Sequence, residues 1–125
     1  MMKKSRKILI IDDDPEVQTA LKKVLSILGH QSFCADNGAS ALEILSHNIK
    51  PSLIFCDLMM PSMNGLEFLS TMKMDKNSEL STIPIVILSA EKSLEKDVTP
   101  FHVEHLNKAF EINDLIGIVN RYCSH

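Results

Sequence analysis

No cysteine pair in this chain has the spacing of a zinc or redox site: Cys34, Cys56 and Cys123 stand far apart, and there is no CxxC. Their odd number, without a secretion signal, points to reduced thiols. Cys56 lies inside an apolar run, where a small buried hydrophobe is the default reading. Long apolar stretches are missing too. The longest, 8–11, 53–56 and 83–88, fall far short of the roughly 20 residues of a membrane span, so no membrane partner is expected. The basic start (Lys3, Lys4, Arg6, Lys7) lacks the apolar segment and cleavage site of a signal peptide. A cytoplasmic location is expected. An excess of positive charge is also lacking: 13 Lys plus Arg against 16 Asp plus Glu give −3, which argues against nucleic-acid binding. What is present is ordinary for a globular chain: 45% hydrophobic and 23% charged residues over 125 positions. One domain over 1–125 is expected, with 1–6 as a basic extension.

The run Ile8-Leu9-Ile10-Ile11 is continuously apolar rather than alternating, as expected of a strand buried on both faces of a parallel sheet. It stops at Asp12. Asp14-Pro15-Glu16 then reads as helix cap, first-turn proline and first-turn acid, ahead of Val17, Leu21, Val24, Leu25 and Leu28 at helical spacing. The pattern repeats. A weaker strand over 31–35 leads through Asp36-Asn37-Gly38 to a helix with Ala41, Leu42 and Leu45 on one face. A third strand, 52–56, stops at Asp57, and Asn64 with Glu67 resembles a capping box for a helix carrying Leu66, Leu69 and Met72. After a polar linker, Ile85-Val86-Ile87-Leu88 forms a fourth strand closed by Ser89. Pro100 limits any helix in 91–99 to about two turns. A fifth strand is expected before Lys108, and a last helix with Ile112, Leu115, Ile116, Val119 and Tyr122 on one face. This alternation predicts an α/β fold: a doubly wound, five-stranded parallel sheet with helices on both faces, the fourth helix short or irregular.

Such sheets carry their sites at the carboxyl ends of the strands. There the sequence places Asp12, Asp13 and Asp14 after the first strand, Asp57 after the third, Ser89 after the fourth and Lys108 after the fifth. Crowded carboxylates repel unless a cation neutralises them. An all-oxygen set without histidine or cysteine suits Mg²⁺. A carboxylate can also act as a nucleophile toward phosphorus when metal and lysine hold the phosphoryl oxygens. The acidic triplet by itself is an ordinary capped helix start, and Lys108 by itself an ordinary surface lysine. Asp57 is less easily explained, because the apolar run before it drives it to the end of a buried strand.

Ile8 to Pro15, the stretch Cys56-Asp57-Leu58-Met59-Met60-Pro61-Ser62-Met63-Asn64-Gly65, Leu88-Ser89-Ala90 and Lys108-Ala109-Phe110 together resemble the four signatures of the response regulator receiver domain. The resemblance implies a flavodoxin-like receiver fold and a phosphorylation-controlled switch in two-component signalling. Asp57 would take a phosphoryl group from a phosphohistidine on a sensor histidine kinase or histidine phosphotransfer protein. Asp13, Asp57 and the backbone carbonyl of Met59 would bind Mg²⁺, with Asp12 acting mainly through a metal-bound water. Ser89 and Lys108 would hold phosphoryl oxygens, and His105 occupies the switch position commonly held by Tyr or Phe.

Ala109 replaces the proline that usually follows the lysine, so a trans Lys108-Ala109 bond is expected, a non-proline cis bond costing ~2.5–4 kcal/mol. The segment between Ser89 and Lys108 is a few residues shorter than usual. These departures favour, as an alternative, a degenerate receiver that binds a partner irrespective of phosphorylation. An enzyme of the aspartyl-phosphate phosphatase type needs an acid two residues after the nucleophile, where Met59 stands. A flavodoxin needs a Ser/Thr/Gly-rich phosphate loop, and Asp12 to Asp14 would repel a phosphate. A switch rather than a turnover enzyme is therefore expected, its output being a contact with a downstream protein, a relay or storage of the phosphoryl group.

Overall fold

The computed structural model describes residues 5–47, 49–57, 65–74, 82–89, 104–107 and 110–123. In chain order it runs β1 (Lys7–Ile11), α1 (Pro15–Ile27), β2 (Gln31–Ala35), α2 (Gly38–Ser46), β3 (Leu53–Asp57), α3 (Gly65–Met74), β4 (Ile85–Ser89), β5 (Glu104–Asn107) and a helix named here α4 (Ile112–Cys123). The short helix expected in 91–99 and the Asn64 cap lie outside the described residues. All five strands are parallel, in the order β2-β1-β3-β4-β5.

The continuous apolar runs are explained by the two faces of the sheet. Leu9, Ile11, Ile54, Cys56, Ile85 and Ile87 pack with Ala41 and Leu45 of α2 and with Phe68 and Met72 of α3. The alternate residues, Ile8, Ile10, Leu53, Phe55, Val86 and Leu88, pack with Leu21 and Leu25 of α1 and with Leu115, Ile118, Val119 and Cys123 of α4. Side chains alternate across a strand, so covering both faces demands an apolar residue at every position. The chain's order reverses between β1 and β3: β2 lies to one side of β1, and the remaining strands to the other. At such a reversal right-handed crossovers send successive helices to opposite faces and leave a crevice at the strand ends.

Local signals set the helix ends. The Asp14 side chain caps α1 by accepting the Glu16 N–H, and Pro15 stands in the first turn, where its missing N–H costs nothing. Gly29, at φ 87°, takes the left-handed conformation that follows α1. Asn37 caps α2, its side-chain oxygen accepting the Ser40 N–H at 2.8 Å. Asn37→Ala is expected to cost about 1 kcal/mol in a urea titration, with the slope unchanged.

Two sequence expectations shift. The apolar face of α4 is Leu115, Ile118, Val119 and Cys123, whereas Ile112 is 60% exposed and Ile116 and Tyr122 are half-buried. Tyr122, partly buried against the core, also has a polar partner: its hydroxyl donates to Glu104 Oε1 at 2.9 Å, and Arg121 pairs with the same carboxylate. That cluster fastens β5 to α4. The third strand also runs one residue further than expected, so Asp57 is its last paired residue, opposite Leu88. Among the described residues, no helix is long and apolar enough to cross a membrane.

Candidate functional site

Parallel register brings the acidic residues together. Ile11 of β1 lies opposite Cys56 of β3, so one step further along both strands Asp12 faces Asp57. Neighbouring strands are separated by roughly 4.8 Å, and carboxylate oxygens of Asp12, Asp13 and Asp57 lie within 4.8 Å of one another. Asp12 is fully buried and Asp57 only 3% exposed, whereas Asp13 is open to solvent. Three acids from two adjacent strand ends thus occupy the crevice where the strand order reverses.

The loop after β1 is held by its own polar groups. The Asp12 N–H donates to the carbonyl of Ala35 at the end of β2, at 3.1 Å. Asp12 Oδ1 accepts the Asp14 N–H at 2.9 Å, a local turn that folds the loop back before α1 begins. One oxygen of Asp12 is therefore engaged in shaping the loop, while Asp13 is exposed to solvent. Gln18 of α1 adds a link that sequence reasoning missed: its Nε2 donates to the Asp12 carbonyl and to Asp36 Oδ1, the latter at 3.0 Å. Nothing in the sequence marks a glutamine on a helix as reaching back to a loop, and its second contact exists only once β2 delivers Asp36 beside α1.

The donor set fits a hard divalent cation. It offers three carboxylates and no imidazole or thiolate, the chemistry Mg²⁺ prefers. Cys56 belongs to the opposite face of β3, where burial above all, then the negative fields of Asp57 and Asp12, push its thiol pKa well up. It behaves as a core residue, as its apolar run suggested.

The other expected site residues are placed in part. Ser89 closes β4, one residue past Leu88, the partner of Asp57, and pairs with Asn107 of β5. His105 lies in β5 opposite Ile87. Met59, Lys108 and Ala109, and with them the Lys108-Ala109 peptide bond, lie outside the described residues.

A family model described as the response regulator receiver domain matches residues 8–120, from the start of β1 into the last helix. The chain belongs to that family. As a receiver domain it is 32% identical over 124 residues to sporulation initiation phosphotransferase F of Bacillus subtilis (strain 168), the match covering 94% of each chain. Other curated relatives are longer, and the chain spans between 24% and 52% of their length. Among solved structures, the signal receiver domain of a signal transduction histidine kinase from Syntrophus aciditrophicus superposes with a TM-score of 0.83 at 28% identity, over 96% of this chain and 91% of that one. The response regulator protein TrrA of Thermotoga maritima, in complex with Mg²⁺ and BeF, gives a TM-score of 0.81 at 26% identity, covering 94% and 98%. Receiver domains are signalling switches with an acidic Mg²⁺ pocket, and the carboxylates of Asp12, Asp13 and Asp57 come together within 4.8 Å in this chain.

Proposed function

We propose that this receiver domain is the phosphoacceptor of a two-component phosphorelay, with Asp57 as the acceptor. The observation that carries the reading is the convergence of Asp12, Asp13 and Asp57 within 4.8 Å at the ends of β1 and β3. Of the three, Asp57 ends β3, the central strand of the sheet, and is paired there with Leu88 of β4, which fixes its position as an in-line nucleophile requires. Its carboxylate oxygen attacks the phosphorus of a phosphohistidine on a histidine kinase or histidine phosphotransfer protein. A P–O bond forms, the P–N bond breaks, and the imidazole leaves with the electron pair and takes a proton from water. Mg²⁺, when bound, offsets the charge of the carboxylates and of the incoming phosphoryl oxygens.

Asp13 would be the direct carboxylate ligand beside Asp57, and the Met59 carbonyl would complete the protein's share. Asp12, whose Oδ1 already accepts the Asp14 N–H, acts through a metal-bound water. Ser89 donates its hydroxyl to a phosphoryl oxygen and Lys108 pairs with another, so that phosphorylation draws the ends of β4 and β5 toward Asp57. His105, on β5, lies on the strand that this movement displaces. The result is a switched contact with a downstream protein or onward transfer of the group, rather than turnover of a substrate. Incubation with a small phosphodonor and Mg²⁺, followed by intact-mass measurement, is expected to give a single phosphoryl addition that disappears when Mg²⁺ is chelated. Unmodified mass under these conditions would leave the phosphorylation-independent interaction module as the better reading.

A further inference from the structure

We infer that Gln18 is a positioning residue for the metal site, a role that rests on the Mg²⁺ reading above. Its side chain links three parts of the fold: α1, which carries it, the Asp12 carbonyl in the loop after β1, and Asp36 after β2. Both acceptors are oxygens that cannot donate, so the amide orientation is fixed by the network, with the nitrogen toward them. The two amide hydrogens have two acceptors, and the link is fully used. The Gln18 backbone N–H also donates to the Asp14 carbonyl at 3.1 Å, which seats the residue in the first turns of α1 directly above the loop.

The consequence lies in the peptide that joins Asp12 to Asp13. The carbonyl held by Gln18 belongs to that peptide, and its orientation sets the direction in which the Asp13 carboxylate leaves the backbone. The preceding peptide is already fixed by the Asp12 N–H on Ala35, and the following one by the Asp14 N–H on Asp12 Oδ1. Gln18 holds the peptide that lies between those two. Asp36 is the second anchor. It holds the amide in place from the β2 side, so that the loop registers against two strands rather than against α1 alone.

Partners of this kind behind a ligand-bearing group typically change metal affinity ten- to a hundredfold. Gln18→Met keeps the length and removes both donors without adding charge. Its Mg²⁺ dissociation constant, followed by NMR amide shifts of Asp13, is expected to rise roughly tenfold. In phosphodonor kinetics the Mg²⁺ concentration for half-maximal rate should rise by the same factor while the rate at saturating Mg²⁺ stays that of the wild type. A general packing defect would lower the saturated rate instead, and that outcome, or an unchanged dissociation constant, overturns the inference. If Gln18→Met does not fold, the wild type still decides: the Gln18 side-chain amide resonances should move on Mg²⁺ addition, and their immobility overturns the role. Wild-type protein that takes up no Mg²⁺ overturns the metal reading and this inference together; wild type that binds while Gln18→Met binds equally overturns the inference alone.

Discussion

Asp57→Asn abolishes phosphorylation: intact mass after incubation with a small phosphodonor and Mg²⁺ stays that of the unmodified chain. The amide nitrogen's lone pair is delocalised and the amide oxygen carries no full charge, so the variant keeps the shape of Asp57 and loses its nucleophile. Asp13 is near enough to be considered a substitute, but it sits in a solvent-exposed loop, not at the end of a strand held on both sides. A phosphoryl gain that persists in the variant overturns the assignment. The same substitution also has a predicted sign on stability. Three carboxylates within 4.8 Å repel one another, and neutralising one relieves that repulsion, by about 1 kcal/mol at low salt without Mg²⁺. Denaturant unfolding should therefore show a more stable variant, with an advantage that shrinks as Mg²⁺ is added to the wild type.

Asp13→Asn is expected to raise the Mg²⁺ dissociation constant roughly a hundredfold in a calorimetric titration, with Asp12→Asn raising it less. The asymmetry comes from the loop. The Oδ1 atom of Asp12 accepts the Asp14 N–H, and an asparagine oxygen can keep that bond, so the loop survives the loss of charge. Asp13 has solvent access and offers its carboxylate to the cation, so in the variant that charge is lost directly from the ligand set. Ligand binding to the native state stabilises it by RT ln(1 + [L]/Kd). The rise in melting temperature that Mg²⁺ confers should accordingly be nearly absent in Asp13→Asn and partly retained in Asp12→Asn. Equal losses in the two variants, or a larger one in Asp12→Asn, overturn the division of roles.

The alternation of elements was legible from the residues alone because burial on two faces leaves a distinctive mark. Runs such as Ile8-Leu9-Ile10-Ile11 have no polar position to spare, and the structure divides each run between two cores. Asp14, Pro15 and Asn37 announce helix starts through backbone chemistry that needs no distant partner. The acidic site was legible for a related reason: strand ends can be counted along the chain, and parallel strands in register bring their ends to the same edge. Local patterning left open which residues at that edge touch. That Asp12 faces Asp57 follows from the register Ile11↔Cys56, and register is a property of two segments separated by more than forty residues. The exposure of Ile112 was likewise undecided by helical periodicity, since a stripe of apolar residues does not say where the surface beneath it ends. Gln18 marks the limit most clearly. A glutamine on a helix is compatible with any solvated surface, and only the placement of β2 beside β1, which brings Asp36 within 3.0 Å of its amide, turns it into a clamp on the acidic loop. Periodicity, capping and turn chemistry are short-range and are written in neighbouring residues. The register that sets Asp12 opposite Asp57 and the link from Gln18 to Asp36 are long-range, and they exist only after the chain has closed its sheet.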